Sequence, residues 1–179
     1  MKTVAIIPAK GRSVGVLGKN LRPLAGKPLF MWSVEQALAC PEVNEVIVSS
    51  DSDAILHMAL LAGATVITRP PEFCHDDTST EAVIEHALGL MAVQPERVVL
   101  LQATSPVRTP SDISNAILLL DKGYDSVVSV VPNHSFLWYI SPGRPLAVSY
   151  DPLKRPMRQA MAGQFEENGS IYAFTVSGF

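Results

Sequence analysis

The sequence predicts an α/β fold, a mostly parallel sheet with helices on both faces. Three observations predict it. Apolar runs of strand length recur at residues 4–7, 45–49, 65–67, 98–101 and 126–131. Segments with a helical spacing of apolar residues lie between them. The Val and Ile content of a run such as Glu45-Val46-Ile47-Val48-Ser49 suits a strand buried on both faces, as a parallel sheet requires.

Each element has a local reason. Val4-Ala5-Ile6-Ile7 breaks at Pro8 into a loop carrying Lys10, Gly11, Arg12, Ser13, Gly15, Gly18, Lys19 and Asn20. Pro28 suits a first helical position, and Phe30, Val34, Ala37 and Leu38 then fall on one face, the helix stopping near Cys40-Pro41. Trp32 reads as core or interface. Ser50-Asp51-Ser52 forms a capping cluster for a helix through Leu61 that Gly63 closes, with Asp51 as a natural N-cap. Thr65-Val66-Ile67 delivers Arg69 ahead of Pro70-Pro71. Thr78-Ser79-Thr80-Glu81 has capping-box form, with Asp77 at the helix start, and Val83, Ile84, Ala87, Leu88 and Met91 make an apolar stripe. Val98 to Leu101 opens into the polar turn Gln102-Ala103-Thr104-Ser105-Pro106-Val107-Arg108. Thr109 caps the next helix, Pro110 takes its first position, and Ile113, Ile117 and Leu120 face inward until Gly123. Beyond the strand at residues 126–131, residues 132–164 are rich in Pro and aromatics without helical period. Phe136-Leu137-Trp138-Tyr139 and Leu146-Ala147-Val148 are expected to form two strands of an excursion suited to a subunit interface, a substrate lid or packing on its own domain. Glu166-Glu167-Asn168-Gly169 then reads as a turn into the strand Ser170-Ile171-Tyr172-Ala173-Phe174.

Composition bounds the function. At 179 residues, 47% hydrophobic and 17% charged, the chain should fold as one domain, residues 1–179, with 132–164 as its irregular arm. A net charge of −3 and a pI near 5.8 argue against a sequence-blind nucleic-acid binder while leaving room for a local cationic pocket. No run approaches a membrane span, and Met1-Lys2-Thr3 leads straight into a strand without a signal-peptide pattern. Cys40 and Cys74 show no C-x-x-C pairing and read as reduced thiols of a cytoplasmic protein.

Right-handed crossovers bring the turns after parallel strands to one edge of the sheet, where open α/β sheets bind ligands. Lys10 to Asn20, Asp51, Arg69 and Gln102 to Arg108 are therefore expected neighbours. The loop itself lacks the G-x-G-x-x-G spacing. It has Ser13 where a Walker A loop needs Gly, and Asn20 where that loop places a magnesium-binding hydroxyl. Its glycines and cations suit a polyphosphate held by backbone N–H groups and ammonium charge, or else a solvated surface loop.

Four segments in order resemble the acylneuraminate (CMP-sialic acid and nonulosonic acid) cytidylyltransferases. These are Ile7-Pro8-Ala9-Lys10 through Gly18-Lys19-Asn20 with Pro23-Leu24 and Gly26-Lys27-Pro28, then Val48-Ser49-Ser50-Asp51, then Leu101 to Thr109, and Arg158-Gln159 followed by Asn168 to Tyr172. The resemblance implies a Rossmann-like fold of the nucleotide-diphospho-sugar transferase type with a dimerisation arm. It implies transfer of CMP from CTP to the anomeric hydroxyl of an acidic nine-carbon sugar, with release of pyrophosphate and use of Mg2+. By that resemblance Lys10 and Lys19 are the catalytic cations. Ala9, Lys10, Gly11, Ser13, Lys19, Asn20 and Arg69 bind the nucleotide, with Asn20 at the ribose and Arg69 beside the cytosine. Gln102, Thr104, Ser105, Asn168 and Tyr172 hold the sugar. A homodimer is expected, with neither nucleic acid nor membrane as partner.

The chain departs from the family pattern in three places. Val14 replaces a usual Lys, with Arg12 two positions earlier; Lys10 replaces an Arg and loses its bidentate fork. A magnesium-binding Asp pair, expected in a later segment, is not in the sequence, which stops at Phe179. His75, Asp76 and Asp77 look metal-like, Asp51 is a poor replacement because it fits a helix N-cap, His134 reads as an ordinary surface residue of the arm, and the metal ligands stay unassigned. The alternatives are a 3-deoxy-manno-octulosonate (KDO) or other sugar nucleotidyltransferase, or a silent nucleotide-binding module. Lys19-Asn20 and Thr104 argue against the KDO enzymes, which carry Lys-Pro and an acidic residue there.

Overall fold

A computed structural model describes every residue except Val14 and Ala162, so the loss of a loop cation expected at Val14 lies outside the described residues. In chain order the first half comprises β1 (Thr3–Pro8), the short strands β2 (Pro23–Leu24) and β3 (Lys27–Pro28), α1 (Leu29–Leu38), β4 (Glu45–Ser50), α2 (Asp53–Leu61) and β5 (Thr65–Thr68). The second half comprises α3 (Thr80–Gly89), β6 (Arg97–Leu101), α4 (Pro110–Leu120), β7 (Ser126–Pro132), β8 (Trp138–Ser141), β9 (Arg144–Ala147) and β10 (Phe165–Thr175).

The main sheet has the order β5-β4-β1-β6-β10-β7. The pairs β5–β4, β4–β1 and β1–β6 are parallel, whereas β10 runs antiparallel to β6, with Ile171 opposite Leu101. Alternate residues of the central strand face opposite cores. Ala5 and Ile7 join Phe30, Val34, Ile55 and Ile113 under α1, α2 and α4, while Val4 and Ile6 join Ile84 and Leu88 of α3. Burial of each large side chain contributes roughly 1.5–3 kcal/mol, which is why uninterrupted apolar strands and striped helices fit together here.

Several local expectations need correction. Pro28 is the N-cap of α1, not its first residue, because Pro23–Leu24 and Lys27–Pro28 pair as a hairpin through Ala25 and Gly26, both at positive φ. Leu38 lies exposed on α1 and Ser33 is buried in its stead. Trp32 is half-buried and pins the hairpin: its indole N–H donates to the Leu24 carbonyl at 3.0 Å, and Lys27 sits 3.6 Å over its ring. Helix α3 begins at Thr80 with Ser79 as N-cap, accepting from the Ala82 amide, so neither the Thr78–Glu81 box nor an Asp77 start forms. Ser52, not Asp51, occupies the N-cap of α2. The segment read as a turn at residues 166–169 is part of the continuous strand β10, in which Gly169 takes φ +64°.

The chain divides into two units, Met1–Ser129 with Gly169–Phe179, and Val130–Asn168. The second contains the β8–β9 hairpin, Trp138 opposite Ala147; the two expected strands form with shifted bounds, leaving Phe136, Leu137 and Val148 outside them. Tyr150 meets Phe136 and Trp138 edge-on, with ring centroids at 4.6 and 5.9 Å, and Arg155 covers Phe136.

Candidate functional site

The carboxyl ends of β1 and β6 open onto a cavity of about 540 Å³ in the first unit. The loop after β1 supplies Lys10, Arg12, Ser13, Lys19 and Asn20; the turn after β6 supplies Gln102, Ala103 and Thr104; Asp76 and Thr80 come from the approach to α3. The expected meeting of the Lys10–Asn20 loop with the Gln102 turn is therefore found in the structure.

Backbone ties fix the loop. The Ala9 amide donates to the Ser49 carbonyl at 2.9 Å, and the Gly11 amide donates to Asp51 Oδ1 at 2.7 Å. A β-carbon at Gly11 would lie 2.7 Å from Ser52 Cβ, so only glycine lets the loop approach the start of α2 this closely. Gly18, in the left-handed region at φ +59°, turns the chain into Lys19 and Asn20. Asn20 is 5% exposed; its Nδ2 donates to the Lys10 carbonyl at 2.8 Å, while its Oδ1 has no hydrogen-bond partner among the described residues. A buried acceptor left open costs about 1–3 kcal/mol.

Charge in the cavity is arranged for an anion. Lys10 Nζ pairs with Asp76 Oδ1 at 2.5 Å, and that hydrogen bond holds the Asp76 carboxyl below its ordinary value. Arg12 and Lys19 add two further cations, and Thr80 opens α3, whose N-terminal amides favour negative charge.

Other expected residues lie elsewhere. Ala9 is fully buried in the core and offers backbone only. Arg69 is 6% exposed and does not line the cavity; its guanidinium donates to Ser49 O at 2.8 Å and Ser49 Oγ at 3.2 Å, and burial lowers its pKa. Ser105 follows the cavity turn, its amide donating to the Gln102 carbonyl, and with Gln102 it flanks Gly169. Tyr172 packs against the α3 core rather than lining the cavity. Asn168 belongs to the second unit. Arg108 also turns away from the cavity. Asp51 serves the Gly11 amide and Asp76 serves Lys10.

Sequence reasoning passed over Asp76 and Thr80 as cavity residues. The signal for them was present, since they follow β5 and so belong to the same edge of the sheet. No group of three or more His, Cys, Asp or Glu side chains that could hold a metal ion occurs among the described residues. With Asp76 engaged by Lys10 and Asp51 by a backbone amide, the donor set does not fit a protein-built magnesium cage. No described helix is long and apolar enough to cross a membrane.

Comparison with known proteins gives the geometry a context. Residues 4–173 match the family model described as cytidylyltransferase. N-acylneuraminate cytidylyltransferase A of Danio rerio is 37% identical over 173 residues, which are 94% of this chain and 40% of that protein. CMP-N,N'-diacetyllegionaminic acid synthase of Legionella pneumophila is 39% identical over 138 residues, 74% of this chain and 59% of that one. The chain thus spans well under two thirds of the length of these curated relatives. Among solved structures, CMP:2-keto-3-deoxy-manno-octonic acid synthetase complexed with CTP shares the fold, with TM-score 0.71 at 22% identity over 98% of this chain and 74% of that one. A parallel sheet with a cation-lined cavity at its rim, and a family match across nearly its whole length, assign this chain to the cytidylyltransferase family.

Proposed function

We propose that the cavity binds CTP and that CMP passes from it to the anomeric hydroxyl of a sialic-acid-like nonulosonic acid. The new bond joins the sugar oxygen to the α-phosphorus. The bond from that phosphorus to the β-bridging oxygen breaks, pyrophosphate leaves, and the hydroxyl proton departs to solvent. Such a transfer needs alignment and charge stabilisation more than covalent help. Lys10, Arg12 and Lys19 neutralise the triphosphate and the leaving pyrophosphate, each charge-assisted contact contributing roughly 1.5–3 kcal/mol. Asn20 Oδ1 accepts from a ribose hydroxyl. Gln102 and Thr104, with Ser105 behind them, face the sugar. Arg69 acts through Ser49 in shaping the base side. Magnesium bound with CTP would add charge neutralisation at the phosphates, and the roles of Lys10, Arg12 and Lys19 stand without it.

The observation that carries the reading is the convergence of the cationic loop and the Gln102 turn on one cavity, in a family whose members include enzymes named for neuraminic and legionaminic acids. Residues 1–179 act as one nucleotidyltransferase domain in the cytoplasm, paired through the excursion. Exposed Tyr139, Ile140 and Leu146 on β8 and β9 support a pairing surface; a monomer at micromolar concentration in ultracentrifugation contradicts that part.

The test is incubation of the chain with CTP, magnesium and, in turn, N-acetylneuraminic, legionaminic, pseudaminic and KDO acids, following pyrophosphate. Turnover with a nonulosonic acid is expected. CTP binding with no turnover on any acid overturns the transfer step and leaves a nucleotide-binding module, whereas absence of CTP binding overturns the whole reading.

A further inference from the structure

Arg108 is 8% exposed, yet it takes no part in the ion pairs found among the described residues. Its five N–H donors instead meet five neutral acceptors. Nε donates to Gln36 Oε1 at 3.0 Å, Nη1 to Ser170 O and Oγ at 2.6 and 3.1 Å, and Nη2 to Ser33 Oγ and to the Gln102 carbonyl, the last at 3.2 Å. Gln36 closes the ring by donating to the carbonyls of Pro106 and Arg108 at 2.8 and 2.9 Å. Burial pushes the Arg108 pKa down to about 10. A cation taken from water without a carboxylate partner is costly, so its retention asks for a reason beyond filling space.

The reason lies in what the fork holds. The β6–β10 ladder reaches no farther than Leu101 opposite Ile171, and Gln102 is the first residue beyond it. Sheet bonds no longer fix the backbone there, yet Gln102, Ala103 and Thr104 form one wall of the cavity. Their anchor is the Gln102 carbonyl, which accepts from Arg108 and, at 3.4 Å, from the Ser33 hydroxyl of α1. We propose that Arg108 is a positioning residue: its planar fork locks the Gln102 turn to α1 and β10 and so sets the wall against which the acidic sugar is held. This rests on the assignment of that wall to the sugar. A lysine cannot replace it, because three tetrahedral donors do not reach acceptors spread around a plane.

The test compares wild type with Arg108→Lys and with Ser33→Ala, which removes the second anchor and is the milder change should the first variant not fold. In the ligand-free chain, amide exchange at residues 102–104 should quicken in a variant while that of Gly11 and Asn20 stays as in wild type. With ligands, half-saturation by the nonulosonic acid should rise about tenfold to a hundredfold in Arg108→Lys, the upper end being the order expected for a contact misplaced by about 1 Å, with the CTP dissociation constant unchanged. Exchange at residues 102–104 equal to wild type in the folded variants overturns the proposal. So does equal weakening of CTP and sugar, which marks a general structural role. Wild type that fails to bind CTP would instead overturn the nucleotide reading, while the exchange measurement still decides on Arg108.

Discussion

Asn20 and Lys10 show how single side chains prepare the cavity. Asn20 spends its amide N–H on the Lys10 carbonyl and leaves its oxygen open and buried. Asn20→Ala is therefore expected to weaken CTP binding about tenfold or less, one neutral hydrogen bond's worth, with little loss of stability, measured by titration calorimetry and thermal melting. Lys10 is paired with Asp76, whose carboxyl it holds below the ordinary 3.8. Because the shift is downward, the pair's contribution is complete above 3.8 and disappears only as acid titrates the folded carboxyl below that value. A carboxyl-carbon NMR titration should find Asp76 titrating below 3.8 in wild type and returning toward it in Lys10→Met; an unchanged midpoint would remove Lys10 as the cause. The place of Lys10 and Lys19 at the cavity was readable in the sequence because the turns after parallel strands share one edge of the sheet. Arg69, expected beside the cytosine, and Arg108, the end of a turn expected at the same edge, both turn inward. Nothing local separates an arginine that faces a ligand from one that ties two strands together.

At the scale of elements, punctuation was legible where its chemistry was local. Thr109-Pro110-Ser111-Asp112 folds into a reciprocal capping box, with Thr109 Oγ1 accepting from the Asp112 amide and Asp112 accepting from the Thr109 amide. Thr109→Ala should cost about 1 kcal/mol in chemical denaturation, while Ser111→Ala on the same turn should cost nothing measurable. The residues 166–169 misled for the opposite reason. Asn168-Gly169 is turn chemistry, but tertiary pairing carries β10 straight through it, with Gly169 absorbing a positive φ inside the strand. Gly11 is the element-scale constraint on the site. Gly11→Ala must displace either the loop or Ser52 of the α2 cap, at about 1–3 kcal/mol, and should weaken CTP binding alongside the loss of stability.

For the whole molecule, the alternation of β1 between two cores is what commits the chain to a covered parallel sheet, and that sheet makes a rim where distant turns meet. The meeting of Lys10 to Asn20 with Gln102 to Thr104 was legible because crossover handedness leaves the turns no other edge. The antiparallel insertion of β10 was not legible, since pairing partners depend on the finished sheet and leave no mark in a strand's own composition. The most direct measurement of the account is calorimetric titration of CTP into wild type and into Lys19→Ala, followed by amide-shift mapping of the bound nucleotide. Saturable binding to wild type, loss of at least tenfold in the variant by removal of a charge-assisted contact, and shifts centred on residues 9–20 and 76–80 are expected. Binding of equal strength in the variant, or shifts clustered away from those turns, would contradict it.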